Sequence, residues 1–444
     1  MADYSKIPAS AKLQPKPFKA HVDDEKLKHM KELLKLSPIG PAVWENTSKD
    51  QGENLMSNTQ RRHGMRRDWL SNAKDHWLNK FDWRQHEDYI NSFPQYTVPV
   101  TDDDGITLDI HFMALFSEKA DAVPIAFYHG WPGSFLEFLK VFELLRKRYS
   151  PKELPFHVVA PSLPGYAYSS GPPVDVNYNL EKASSAMNNL MIGLGFSSGY
   201  LAQGGDLGAF VSRIQAAKYD TCKSMHLNFV NVTPEIAKNN TDMNEIEAKS
   251  VQRGMEFSKM GFAYAQEHGT RTATIGLVLS SSPLAMLGWI GEKFLEWSDQ
   301  DPSLDDILES VSLYWLTDTY ARCIYPYRAV VQPDRPGPVY VEKPCGYSFF
   351  PHELIPAPRC WAAATCNLVA YSAHTSGGHF AAMEKPEELL GDVEDWVKKV
   401  WKGAKLKVAK PAAKKQKKKM VAVKDEDAVG VKDGGAAVKA EPED

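Results

Sequence analysis

The chain has 444 residues, 43% of them hydrophobic, which is enough for a large buried core and indicates a globular protein of two or three compact units. Its formal net charge of −4 is unevenly distributed: residues 404–444 carry 11 lysines and 7 acidic residues, or +4, and residues 1–403 carry −8. A body with this acidic excess is not expected to bind nucleic acid.

Three further features exclude other classes of protein. The first forty residues contain no apolar run of signal-peptide length, so secretion is not expected. The uncharged stretch 272–291 contains Ser280-Ser281-Ser282-Pro283 at its centre, which argues for two buried segments rather than a membrane span. The five cysteines show no paired metal-ligand spacing, so we expect free, structural thiols in a reducing compartment and a cytoplasmic protein.

Residues 1–95 are predicted to form an N-terminal extension of helices and loops. Leucine and methionine spacing favours a helix over residues 23–35, and tryptophans and leucines favour a second one over residues 69–83. Such a segment would have to pack on a larger body.

Residues 96–232 show the alternation of strands and helices. A β-hairpin is predicted over 96–116, around Asp103-Asp104-Gly105. Further strands are predicted at 123–128, 156–163, 200–202 and 222–232, with helices at 135–146, 180–194 and 209–217. This alternation predicts an α/β protein, with a mostly parallel sheet covered by helices on both faces.

Residues 233–334 interrupt the alternation and are predicted to be a helical insertion rich in aromatic residues. Alternation resumes over 335–403, with strands at 339–341, 346–350 and 367–372 and a closing helix over 387–400. Residues 404–444 are predicted to be disordered. Their lysine-rich part, 405–419, is similar to a nuclear-import signal, although it is equally typical of a solubilising tail.

The pentapeptide Gly204-Gly205-Asp206-Leu207-Gly208 lies between a predicted strand and a predicted helix. This is the context of a nucleophile elbow, in which small residues on both sides of the central position permit a sharp turn. Asp206 is therefore the candidate nucleophile. Alone, the motif would fit a surface turn with a helix-capping aspartate equally well.

Two later residues fit the chain order of nucleophile, acid and base. His379 follows two glycines after the last predicted core strand, and Glu353 follows the strand before it. Alone, each has an ordinary structural alternative, a buried histidine or a carboxylate at a helix N-terminus. Upstream, His129-Gly130-Trp131-Pro132 follows the first core strand, and the N–H groups of Trp131 and Leu207 are predicted to form an oxyanion hole.

In combination these motifs make the chain resemble an epoxide hydrolase of the microsomal class, within the α/β-hydrolase fold, over roughly residues 15–400. The motifs are His129-Gly130-Trp131-Pro132-Gly133-Ser134, Gly204-Gly205-Asp206-Leu207-Gly208, Tyr314-Trp315-Leu316-Thr317, Phe350-Pro351-His352-Glu353-Leu354 and Gly377-Gly378-His379-Phe380-Ala381-Ala382. The resemblance implies that the helical insertion is a lid.

The resemblance also implies roles for individual residues. Asp206 would be the nucleophile, Glu353 the acid of the charge relay and His379 the base, with no metal or organic cofactor. Two lid tyrosines would hydrogen-bond the epoxide oxygen, and the matching positions are Tyr264 and Tyr327. Tyr325 could take the place of Tyr264, and all three could be ordinary packing residues. Trp131, Leu207 and Tyr325 are expected to contact the substrate.

The sequence departs from the family pattern in two places. Leu207 stands where tryptophan is common, and the N-terminal membrane anchor of mammalian members has no counterpart, so we expect no membrane attachment. The alternatives are a haloalkane dehalogenase, for which Leu207 offers no N–H donor to halide, a serine esterase, which Asp206 disfavours, and a non-enzymatic binding protein. The aromatic lid favours a lipophilic epoxide as substrate. A homodimer is compatible with the sequence, which does not fix the oligomeric state.

Overall fold

A mixed β-sheet runs through the protein, whose computed structural model describes residues 3–52, 59–332 and 337–402. The predicted disorder and import signal of residues 404–444 lie outside these ranges. Within them the sheet has nine strands: Lys16–Pro17 (β1), Gln95–Thr101 (β2), Thr107–Leu115 (β3), Val123–Tyr128 (β4), Phe156–Pro161 (β5), Tyr200–Gly204 (β6), Cys222–Leu227 (β7), Val341–Phe349 (β8) and Cys366–Ala373 (β9).

The strand order is β1-β2-β3-β5-β4-β6-β7-β8-β9. The first three strands and β5 pair antiparallel, and β5, β4, β6, β7, β8 and β9 pair parallel to one another. All six residues of β4 are apolar or aromatic and buried, as expected for a parallel strand with helices on both sides. The carboxyl ends of β4, β6, β8 and β9 therefore meet at one edge of the sheet.

Helices pack on the sheet and also form the insertion between β7 and β8. They are Asp24–Leu36 (α1), Trp44–Thr47 (α2), Arg67–Asn79 (α3), Trp83–Ile90 (α4), Leu139–Arg148 (α5), Leu180–Met191 (α6), Asp206–Lys218 (α7), Pro234–Asn239 (α8), Glu245–Glu256 (α9), Ala263–Thr270 (α10), Thr272–Leu279 (α11), Pro283–Trp297 (α12), Leu304–Leu316 (α13), Thr319–Cys323 (α14), Tyr327–Val330 (α15), Arg359–Thr365 (α16), Ala381–Glu384 (α17) and Pro386–Val400 (α18). Short 3₁₀ turns occur at Thr59–Arg61 and Phe135–Phe138, and π-helical turns at Ile192–Phe196 and Phe257–Gly261.

The lid consists of α8 to α15, and the N-terminal helices pack against it. Helices α1 and α3 contact α12, and α4 contacts α13. Met30 and Leu34 form the buried face of α1, and the indole N–H of Trp77 in α3 donates to the Ser312 hydroxyl in α13 at 3.1 Å. The N-terminal extension therefore supports the lid.

The long uncharged stretch forms two segments, as predicted, and both are helices, α11 and α12. Helix α12 is mostly buried, whereas Leu277 and Val278 of α11 are exposed. Ser282 caps the N-terminus of α12, because its hydroxyl accepts the Ala285 N–H at 3.3 Å. Pro283 occupies the first turn of this helix. Among the described residues no single helix is long and apolar enough to cross a membrane; this pair passes the same test jointly but is bent by 116°.

The predicted α/β-hydrolase fold is confirmed, and several predicted boundaries were wrong. The helix predicted over 69–83 is two helices, α3 and α4, and β5 ends at Pro161 rather than at residue 163. Residues 339–341 and 346–350 do not form separate strands, because β8 continues through Pro344 by means of two register shifts against β9. Strand β7 ends at Leu227, not at residue 232.

Candidate active site

Asp206 lies at the sharp turn between β6 and α7. Its φ of 45° is in the left-handed region, which non-glycine residues adopt rarely and usually at functional positions. Steric constraints explain the glycines on both sides of Asp206. A Cβ at Gly204 would lie 2.2 Å from the Gly208 carbonyl oxygen, and a Cβ at Gly208 would lie 2.0 Å from the Tyr128 carbonyl oxygen. The turn therefore requires glycine at both places.

The Asp206 carboxylate is held by backbone N–H groups. Trp131 donates its N–H to Oδ1 at 2.8 Å, and the adjacent Leu207 N–H also lowers the pKa of this carboxyl group. A Cβ at Gly130 would lie 2.3 Å from the Asp206 side chain, so only glycine permits this approach. Burial raises the pKa of Asp206 above its usual value, while His379 and the two N–H groups oppose that rise. The two predicted oxyanion donors thus both contact Asp206.

His379 lies between two carboxylates. Its Nε2 is 3.5 Å from Asp206 Oδ2, and its Nδ1 is 2.6 Å from Glu353 Oε1. The side chains of His379 and Glu353 are 3% and 1% exposed, so solvent screens their interaction little. Burial lowers the pKa of His379, but attraction to Glu353 and then Asp206 outweighs it and raises this pKa to about 9. The structure therefore brings together the three residues predicted as nucleophile, acid and base.

The loop that carries His379 is fixed by carboxylates from neighbouring segments. Asp299 accepts the Gly377 N–H at 2.8 Å, and Glu384 accepts the N–H groups of Gly378 and Phe380, each at 3.1 Å. The His379 N–H itself donates to the carbonyl of Trp297 at the end of α12 at 3.0 Å. The end of a lid helix therefore helps to set the position of the imidazole.

Glu353 follows β8 and is held by a lid residue that the sequence analysis did not identify. Arg253 in α9 donates from Nη1 to the carbonyls of His352 and Glu353 at 2.8 and 2.9 Å. The Leu354 N–H donates to Glu353 Oε1 at 2.6 Å. Nothing in the sequence near Arg253 indicates this role, because its partners lie 99 and 100 residues away.

Tyr264 and Tyr327 face Asp206 from the lid. Together with Asp206 and Leu207 they line a cavity of about 70 Å³ whose other walls are mainly apolar, including Phe257. The centroids of the two phenol rings are 5.8 Å apart, with the rings at 74° to each other. Burial raises the pKa of both phenols, so they keep their protons at neutral pH and can donate hydrogen bonds.

Trp131 and Tyr325 lie in different places. The Trp131 ring stacks on Tyr264 at 5.2 Å and meets Tyr327 edge-on at 5.9 Å. Tyr325 instead packs against Tyr178 at 5.6 Å and does not line either of the cavities that contact Asp206 in the described structure. The geometry therefore favours Tyr264 over Tyr325 as the partner of Tyr327.

A second, smaller cavity of about 10 Å³ also contacts Asp206 and His379. Its walls include Glu137, Gln203 and Asn228. Glu137 was not predicted from the sequence. The signal that could have identified it is a carboxylate within the otherwise apolar stretch 135–139, directly after the Trp131 motif.

The described residues contain no group of three or more histidine, cysteine, aspartate and glutamate side chains arranged to hold a metal ion. All five cysteines are free, and four of them are buried, which agrees with the predicted structural thiols. The chemistry offered by the described side chains is that of a nucleophile, a base, fixed N–H donors and two phenols.

Comparisons with known proteins give a consistent result. Residues 15–138 match the family described as epoxide hydrolase N terminus, and residues 123–287 match the alpha/beta hydrolase fold. A protein of Dothistroma septosporum named "Putative epoxide hydrolase" is 49% identical over 89% of this chain and 93% of its own. The solved structure of Aspergillus niger epoxide hydrolase is 45% identical, covers 90% of this chain and 100% of its own, and superimposes with a TM-score of 0.82.

Proposed function

This chain belongs to the epoxide hydrolase family within the α/β-hydrolase fold, and we propose that it opens a lipophilic epoxide to a vicinal diol through a covalent ester on Asp206. The observation that carries the mechanism is the shared cavity. Asp206 and the two phenols line the same cavity of about 70 Å³, and His379 Nε2 lies 3.5 Å from Asp206 Oδ2.

In the first step, an Asp206 carboxylate oxygen attacks one carbon of the epoxide ring. A carbon–oxygen bond to Asp206 forms while the ring carbon–oxygen bond breaks, and the departing oxygen is stabilised by the hydroxyl groups of Tyr264 and Tyr327. One phenol supplies the proton that makes this oxygen a hydroxyl group, and the resulting phenolate regains a proton from solvent before the next turnover. The phenols suit this role because their raised pKa keeps them protonated.

In the second step, His379 removes a proton from water, which attacks the carbonyl carbon of the Asp206 ester. The ester carbon–oxygen bond then breaks, the departing diol oxygen takes the proton from His379, and the Asp206 carboxyl group loses its remaining proton to solvent. The N–H groups of Trp131 and Leu207 stabilise the oxyanion, since they already point at this carboxyl group. Esterification removes the Asp206 charge, one of the contributions that raise the pKa of His379. The ester therefore makes the imidazole a free base at a lower pH than in the resting protein.

The first cavity also supports the class of substrate. Its walls carry Phe210, Phe229 and Phe257 beside the reacting carboxylate, and such surfaces bind apolar groups by removing them from water. The polar side chains in its walls are those of Asp206, the two phenols and Asn231. We infer that the epoxide ring lies beside Asp206 and the two phenols and that its lipophilic substituent contacts the phenylalanines.

An isotope experiment tests the ester directly. With protein in excess over styrene oxide in ¹⁸O water, the first diol should contain no label, and ¹⁸O should enter the peptide that contains Asp206, because water attacks the ester carbonyl. As a matched control, protein that has turned over many times in ¹⁸O water is returned to ordinary water and given one equivalent of substrate. This diol should now carry ¹⁸O from Asp206.

Label in the first diol, with none in the Asp206 peptide, would instead mean direct attack by water on the epoxide and would leave Asp206 as a base. An Asp206→Asn variant, which cannot form the ester by the same route, should yield no diol above the background rate.

A further inference from the structure

Glu137 lies against the backbone that holds the nucleophile. A Cβ at Gly133 would lie 1.4 Å from Glu137 Oε1, so the carboxyl group occupies the space that any side chain at position 133 would need. The Gly130 N–H lowers the pKa of this carboxyl group, and the next N–H, that of Trp131, donates to Asp206 at 2.8 Å. Glu137 and Asp206 therefore lie against consecutive residues of the same turn.

Both carboxyl groups line the 10 Å³ cavity, together with His379. This volume holds about one water molecule, which needs two to four polar partners to be stable. Gln203, which is 1% exposed, offers one, because its buried Oε1 has no hydrogen-bond partner among the described residues while its Nε2 donates to Asn228 at 3.0 Å. The cavity thus has the size and polarity of a water site that contacts the base and the nucleophile.

We propose that the Glu137 carboxylate binds the water molecule that hydrolyses the Asp206 ester and orients it toward His379, an inference that rests on the covalent mechanism proposed above. One O–H of the water gives its proton to His379 Nε2, the other donates to Glu137, and the water oxygen forms a bond to the Asp206 carbonyl carbon. The ester carbon–oxygen bond then breaks, and the diol oxygen takes the proton from His379.

The charges around Glu137 give this role a pH dependence. Burial raises the pKa of Glu137 to about 8, the cationic form of His379 opposes this rise, and Asp206 and Glu353 add to it. Tyr314 also faces Glu137. The carboxylate, which is the form that accepts the hydrogen bond from water, is therefore populated as the pH rises. Esterification removes the Asp206 contribution at the stage when the water is needed.

The test separates the two chemical steps in the full-length protein by rapid quench, with mass spectrometry of the ester. The variants are Glu137→Gln, which keeps a weaker polar group, and Glu137→Leu, which cannot hydrogen-bond. We expect ester formation from styrene oxide to be unchanged, and ester hydrolysis to slow about tenfold in Glu137→Gln and about 100-fold in Glu137→Leu. Glu309→Gln, which alters a buried carboxyl group bonded to His86 in another part of the protein, should hydrolyse the ester normally.

The pH profile distinguishes this role from simple support of the fold. Hydrolysis in the native protein should rise through two ionisations, those of His379 and Glu137, and Glu137→Gln should retain only that of His379. Equal slowing of both steps, or an unchanged pH profile in Glu137→Gln, would overturn the proposal. If Glu137→Leu does not fold, Glu137→Gln alone decides. Absence of the ester in every protein, including one without His379, would instead contradict the covalent mechanism.

Discussion

The hydrolase core and the lid contribute different kinds of group to the active site. The core supplies charged groups fixed by the sheet and by backbone hydrogen bonds, namely Asp206, His379 and Glu353. The lid supplies the neutral phenols of Tyr264 and Tyr327, which are placed by packing of aromatic rings around Trp131.

This difference divides the proposed reaction. Ring opening needs both regions, because the carboxylate and the phenols act on opposite ends of the breaking bond. Ester hydrolysis uses groups of the core, which the lid helps to hold in place through Arg253, the Trp297 carbonyl and Asp299. Substitutions in the two regions should therefore slow different steps.

The largest effect is expected from removing both phenols. Tyr264→Phe combined with Tyr327→Phe should slow ester formation about 10⁴-fold, since each lost donor to the developing oxyanion costs on the order of 3 kcal/mol. Each single variant should slow it about 100-fold because the other hydroxyl remains. Stopped-flow measurement of ester formation checks this, and Tyr325→Phe serves as the control. Ester formation at the native rate in the double variant would remove the lid from the chemistry.

Replacing the base should affect the other step. His379→Gln should form the ester but hydrolyse it about 10³-fold more slowly, since the variant lacks the general base for water. Mass spectrometry after mixing with styrene oxide should find the ester on the peptide that contains Asp206. Loss of ester formation to the same extent would show that the two steps do not separate by region.

Substitution of Arg253 tests how much this lid residue contributes to the position of Glu353 in the core. Arg253→Met removes the donors to the carbonyls of His352 and Glu353, and we expect ester hydrolysis to slow about tenfold because Glu353 is held less firmly against His379. Ester formation should change little, and Arg253→Lys should recover part of the loss. The lifetime of the ester is the measurement, and a larger effect on ester formation would contradict the assignment.

The pH dependence of ester hydrolysis gives a further test of how the charge on Asp206 affects His379. In the resting protein His379 has a pKa of about 9, partly because of the Asp206 charge, and esterification removes that charge. The ionisation of His379 in the pH profile of ester hydrolysis should therefore have a midpoint below that for titration of His379 in the free protein. Single-turnover kinetics give the first value, and NMR of the imidazole gives the second. A hydrolysis midpoint at or above the NMR value would contradict this coupling.

The same shift affects stability in a defined pH window. Because the pKa of His379 is raised from 6.5 to about 9 on folding, its contribution to the free energy of unfolding is complete below pH 6.5. It is lost as the pH rises through 9. Denaturant titrations of the native protein and of His379→Gln across this range should converge at high pH.

The smallest effect is expected from deleting residues 404–444. All the active-site groups lie within the described residues, so both chemical steps should proceed at the native rate. The lysines at 405–419 are expected to influence distribution in the cell, which fluorescence microscopy of the two proteins can compare. A slower step in the truncated protein would contradict the first expectation.

The sequence predicted the elements of the core well because their signals are local. The apolar run of β4 and the glycines around Asp206 are steric requirements that remain visible in one stretch of chain. Contacts between distant segments were not visible. Arg253 reaches Glu353 across 100 residues, and β8 continues through Pro344 only because β9 pairs with register shifts. Glu137 was missed because its partners, Gly130 and Gly133, are glycines without side-chain chemistry.

The backbone and the side chain of Leu207 have separate roles, and this has a consequence for protein engineering. Its backbone N–H lowers the pKa of Asp206, whereas the residue also lines the cavity beside Phe210 and Phe229. Any residue other than proline preserves the N–H, so variation at position 207 can reshape the cavity while leaving the oxyanion donors intact. Screening a library of variants substituted at position 207 alone should therefore find changes in enantioselectivity with little loss of catalytic rate.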